Sequence, residues 1–139
     1  AVPLAPHPGR LSDPNLTEPE TPSIGMHANS GITFDLEPIR RMTPQLNVAG
    51  FKALCGVSET VLEYTDEVAA RQVTVDFWVL VDGRVRFSTT LSASPPKAEW
   101  IEVSLGPEDH FVTLATTAPG TCTFGWAMFV APTLELETK

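Results

Sequence analysis

The chain has 139 residues, close to a single domain at roughly 100–200 residues per domain. Nine Lys and Arg stand against seventeen Asp and Glu, a formal charge of −8. That balance excludes a protein that works by neutralising phosphates, so no nucleic-acid partner is expected. Apolar residues make up 42 % of the chain, enough for one core. No apolar run approaches the roughly 18 residues that a membrane span needs, so no membrane insertion is expected.

Six of the thirteen prolines fall in Ala1 to Pro22. Proline fixes φ and removes a donor, so a run this dense resists helix and sheet interiors. Residues 1–22 read as an extended arm that lies over the surface or reaches a neighbour, ahead of a domain over 23–139. No basic segment followed by an apolar stretch opens the chain, so no signal peptide is expected here. An Ala start fits a processed secreted chain or an excised piece.

Beyond the arm the pattern has period two. Ile32, Phe34 and Leu36 alternate with Thr33 and Asp35, as in a strand. Asp35 to Met42 predicts a short helix, with Asp35 at its N-cap, Pro38 in its first turn and Arg40 and Arg41 near its end. Pro44 stops it. Phe51 to Val57 reads as a short strand. Val73 to Val81 is the clearest run, with Val73, Val75, Phe77, Val79 and Val81 on one face and Thr74, Asp76, Trp78 and Leu80 on the other. Asp82-Gly83 then predicts a type I′ hairpin leading into Arg84 to Phe87. Trp100 to Leu105, His110 to Thr116 and Trp126 to Leu136 complete the strands, and Pro132 marks an edge or a bulge. The fold class is all-β, an antiparallel sandwich with one short helix.

Few residues carry obvious chemistry. Cys55 and Cys122 allow one disulfide or two free thiols, and both readings stay open. His7, His27 and His110 show no metal-ligand spacing. His27 reads as a buried residue fixing a strand entry, or as a group near a ligand. Trp78 and Trp100 fall off the face that reads as core, Trp78 beside Asp76 and Trp100 beside Glu102. Sugars present C–H faces to aromatic rings and hydroxyls to polar neighbours, which suits both positions. Arg84 and Arg86 share one side of a strand, placed to pair with facing acids or to clamp a carboxylate. Paired acids such as Glu108 and Asp109 read as solvated loop charge. No nucleophile elbow or phosphate loop is present, so the chain is not expected to be an enzyme.

Four segments in order resemble the NPCBM family of carbohydrate-binding modules, in its planctomycete-type variant. They are Ile24-Gly-Met-His-Ala-Asn-Ser-Gly-Ile-Thr-Phe-Asp-Leu36, Phe51-Lys-Ala-Leu-Cys-Gly-Val-Ser-Glu59, Val75-Asp-Phe-Trp-Val-Leu-Val-Asp-Gly83, and Gly125-Trp-Ala127 with Leu134 downstream. The resemblance implies a galactose-binding-like, jelly-roll sandwich and recognition of a neutral, galactose-type glycan by aromatic stacking and hydroxyl hydrogen bonds. Ligand-binding candidates are then Trp78, Trp100, Trp126, His27, Asn29, Asp76 and Arg84, with Trp126 read first as structural. The one metal it brings in is a structural calcium, but Gly125 and Ala131 stand where relatives carry acids, so no cofactor is expected. Any catalysis would sit in a fused or partner protein, in a secreted, extracellular or periplasmic setting. The alternative is a structural subunit of a homo-oligomer or larger extracellular assembly, with the arm and exposed aromatics as contact surfaces.

Overall fold

A computed structural model describes residues 22–95, 97–120 and 125–139. The arm up to residue 21, and Cys122 with it, lies outside the described residues. Among the described residues, eight strands form two antiparallel four-stranded sheets. The first sheet runs β1 (Ser23–His27), β8 (Trp126–Thr138), β3 (Leu46–Val57) and β6 (Glu99–Ser104). The second runs β2 (Ser30–Asp35), β7 (Phe111–Thr117), β4 (Thr74–Val81) and β5 (Arg84–Ser92). The expected all-β sandwich is therefore present.

The core follows from alternation. On β4, Val75, Phe77 and Val79 are fully buried while Asp76, Trp78 and Leu80 are half-buried on the outer face. The facing sheet contributes Phe51, Ile101 and Phe129. Phe77 and Phe129 meet edge to face across the sandwich, with ring centroids 5.6 Å apart and planes at 77°. That arrangement suits the aromatic quadrupole and ties one sheet to the other.

Turn chemistry sets the register. Asp82 and Gly83 have φ of 50° and 80°, the pair of positive values that a type I′ turn requires. The Asp82 carboxylate also accepts the backbone N–H of Phe111 at 2.9 Å and of His110 at 3.1 Å, which fixes the start of β7. In β8, Ala131 (φ 52°) and Pro132 fall between the pairs Leu54–Val130 and Lys52–Thr133. This is the bulge that Pro132 signalled. The Ala131 N–H goes to the carbonyl of Pro22, the last residue of the expected arm.

The helical expectation needs two corrections. Helix α1 (Glu37–Met42) is capped at Leu36, not Asp35, although the Asp35 carboxylate accepts the Glu37 N–H at 2.9 Å. A 3-10 turn (Glu59–Glu63) and a short helix α2 (Glu67–Ala70) also form between β3 and β4, so the helix is not single. Each is held by a short local cap: Ser58 accepts from Thr60 N and Asp66 from Ala69 N.

Connections alternate between the two ends of the sandwich. The β1–β2, β3–β4, β5–β6 and β7–β8 links share one end, called the loop end below, while the β4–β5 hairpin, α1 and the β6–β7 turn share the other. A Cβ added at Gly83 meets nothing within 4 Å, so Gly83→Ala isolates the cost of a positive φ. We expect a loss of about 1 kcal/mol with an unchanged m-value in urea unfolding. An unchanged midpoint would show that this turn is not under conformational constraint.

Candidate functional site

The outer face of the second sheet near the loop end carries a connected polar group. Trp78 pairs with Ala115 on β7 and with Ser88 on β5. Its indole N–H donates to Thr117 Oγ1 at 2.9 Å. Thr117 Oγ1 in turn donates to Asp76 Oδ2 at 3.3 Å, and Thr90 Oγ1 donates to Asp76 Oδ1 at 2.5 Å. Each Asp76 oxygen thus holds one threonine hydroxyl and keeps a lone pair for a further donor. The bond to Thr117 turns the indole edge toward β7, where Trp78 is paired with the small Ala115. Beside it lies a trough of about 360 Å³ lined by Asp76, Trp78, Ser88, Thr89 and Thr90.

This trough combines one aromatic surface with several hydroxyls and a carboxylate. Sites for small polar ligands have that composition, with an apolar wall for contact and a few polar groups for orientation. Two other clefts lack the combination. An opening of about 320 Å³ between the sheets, lined by Ile24, Phe34, Phe51, Val112, Pro132 and Leu134 with Thr133, is almost wholly apolar. A cleft of about 360 Å³ at the end opposite the loops, beside Arg40, Asn47, Glu137 and Lys139, has no aromatic ring.

The other sequence candidates go to different places. Asn29, with φ of 69°, accepts the Ala118 N–H at 3.1 Å, so its side chain holds the residue after Thr117 and acts on the trough through backbone. His27 is exposed at the end of β1, opposite Trp126, which corrects the reading of a buried histidine at a strand entry. Trp126 is only 9 % exposed and packs edge to face with Tyr64, ring centroids 5.4 Å apart. Arg84 is exposed at the hairpin, three residues along β5 from Phe87 and away from the trough. Arg86 donates to the Ser104 carbonyl at 2.7 Å, and among the described residues it is paired with no acid.

Trp100 is 44 % exposed on the outer face of the first sheet, so it cannot join Trp78 in one site. Lys52 Nζ sits over its ring at 5.0 Å from the centroid and lies 3.6 Å from the Glu102 carboxylate. A cation over the ring competes with any stacking partner. Thr90, Thr117 and Ser88 carry no signal of a site in the sequence. They reach Asp76 and Trp78 only through strand pairing, which single-chain spacing does not reveal. Among the described residues, no cluster of three or more His, Cys, Asp or Glu side chains is placed to hold a metal. No described helix is long and apolar enough to cross a membrane.

No family model matches the chain, and no curated protein does. Solved structures do. A CBM51 module from Clostridium perfringens GH95, in complex with methyl-galactose, matches with a TM-score of 0.63 at 18 % identity, over 80 % of this chain and 68 % of that one. The tandem CBM51 modules of Sp3GH98, the family 98 glycoside hydrolase from Streptococcus pneumoniae, match with a TM-score of 0.65 at 16 % identity, over 83 % of this chain and 32 % of that one. The M60 catalytic domain with CBM51-1 and CBM51-2 from C. perfringens ZmpB matches with a TM-score of 0.64 at 21 % identity. That match covers 84 % of this chain and 11 % of the ZmpB structure, so the chain spans only a small part of it. The chain therefore has the two-sheet sandwich fold of these CBM51 modules, some of which sit in larger enzymes.

Cys55 on β3 is a fully buried free thiol. Burial, with the Glu99 carboxylate adding to it, pushes its pKa up to about 12. In a Cys122→Ser chain, a thiol reagent at pH 8 should leave Cys55 unmodified until the protein is unfolded. The unfolded thiol ionises near pH 9 and the folded one near 12, so stability should fall as pH rises across that window. Rapid native labelling would contradict this burial.

Proposed function

We propose that this chain is a non-catalytic carbohydrate-binding module that takes a neutral, galactose-type sugar on the outer face of its second sheet. The observation that carries the reading is the chain of hydrogen bonds from Trp78 through Thr117 to Asp76. It holds the indole in one position before any ligand arrives, so little side-chain freedom is lost on binding. The exposed ring surface offers a platform for a C–H face of the sugar. Asp76, a pure acceptor, accepts hydrogen bonds from sugar hydroxyls, and Ser88 and Thr90 supply further donors and acceptors. The net charge of −8 disfavours anionic glycans and leaves neutral ones.

The neighbours add support, since one carries methyl-galactose and another CBM51 module from ZmpB carries GlcNAc. The reading also fits a secreted, extracellular or periplasmic protein whose catalysis, where there is any, belongs to a fused or partner domain. The alternative of a purely structural subunit draws nothing from these neighbours.

Calorimetry with methyl galactoside and lactose, beside a neutral-glycan array, tests the proposal. Wild-type protein should bind at least one of these, and Trp78→Ala should weaken binding by at least about tenfold while remaining folded. Asp76→Ala should weaken it as well, because it removes the acceptor and releases Thr117 from its place. Folded wild-type protein that binds no neutral sugar, or a Trp78→Ala variant that binds as tightly as wild type, would overturn the proposal.

A further inference from the structure

We infer that the site does not end at the trough but runs along the second sheet to Phe111, so that its ligand is an oligosaccharide chain rather than a single terminal sugar; this rests on the function proposed above. Phe111 opens β7 and is 46 % exposed. It lies on the same outer face as Trp78, because Val112, Leu114 and Thr116 take the buried positions of β7. Trp78 pairs with Ala115, four residues further along β7 than Phe111. At about 3.4 Å per residue the two aromatic positions lie about 14 Å apart along the strand. One sugar ring cannot touch both.

What lies between them suits a neutral chain. The intervening row is Thr33, Thr113 and Leu80, paired side by side on β2, β7 and β4. Thr33 Oγ1 and Thr113 Oγ1 are 2.9 Å apart and hydrogen bonded, and each hydroxyl keeps capacity for another partner. No charged side chain stands in that row. The outward residues of β2, β7, β4 and β5 are all exposed or half-buried, so no described element covers the path. Phe111 is also well placed to bear a load. Its backbone is fixed by the Asp82 carboxylate, which accepts its N–H, and by pairing with Asp35. Phe111 is then a second platform, with the hydroxyl pair as the polar step between the two rings.

The test is calorimetry of the full chain with methyl galactoside and with galacto-oligosaccharides of increasing length. Wild-type affinity should rise with chain length, by about tenfold once the chain reaches Phe111. Phe111→Ala should remove that gain and leave methyl galactoside binding unchanged, while Phe111→Tyr, which keeps the ring, should retain it. Trp78→Ala should weaken binding at every length. Affinity that is flat with length, or equal gains in wild type and Phe111→Ala, would overturn the extension and leave the proposed function in place. Absence of binding at every length would overturn both.

Discussion

The alternation of β4 is the constraint on which the rest depends. This strand lies between β7 and β5, so its backbone is paired on both sides and its register has little freedom. Its inward face is Val75, Phe77, Val79 and Val81, all but fully buried. Each such side chain stabilises the fold by roughly 1.5–3 kcal/mol. A slip of one residue would expose all four and drive the Asp76 carboxylate into the core, where an unpaired charge is far costlier than any packing gain. Asp76 and Trp78 therefore face outward because the core allows no other choice. The core packing and the outward placement of Asp76 and Trp78 are thus set by one strand.

The outward face then becomes specific through its neighbours. Trp78 alone would be a partly exposed aromatic residue of no particular orientation. Pairing with β7 brings Thr117 to its N–H, and pairing with β5 brings Thr90 to the Asp76 carboxylate. The residue paired with Trp78 on β7 is the small Ala115. At the loop end, Asn29 adopts a positive φ and holds Ala118, which anchors the end of β7 just past Thr117. At the hairpin end, Asp82 performs the matching task for the start of β7. The strand that carries Thr117 is thus tied down at both ends by short polar side chains.

Much of the fold is legible in the sequence because it rests on local rules. The period-two run of β4, the Asp-Gly turn and the break at Pro132 each report a constraint within a few residues. The turn and the helical segment between β3 and β4 are too short for a periodic signal and are held by single caps at Ser58 and Asp66. The site is half legible. Asp76 and Trp78 can be placed on one face from alternation alone. Thr90 and Thr117 cannot, because they meet Asp76 across 14 and 41 positions of sequence. Spacing likewise gives no hint that Trp100 lies on the opposite face of the molecule, or that Lys52 caps its ring. His27 reads as buried beside a Gly and a Met, yet it ends its strand at the rim and is exposed.

A nitrogen-resolved NMR titration with a galacto-oligosaccharide tests the central claim most directly. The three indole N–H signals, from Trp78, Trp100 and Trp126, report three separate places in the fold. Binding at the outer face of the second sheet should move the Trp78 indole signal and the backbone signals of Asp76, Thr90 and Thr117, with Trp100 and Trp126 unaffected. Shifts confined to His27, Tyr64 and the Trp126 indole, with Trp78 unmoved, would place the ligand beside Trp126, off the outer face of the second sheet, and contradict the account.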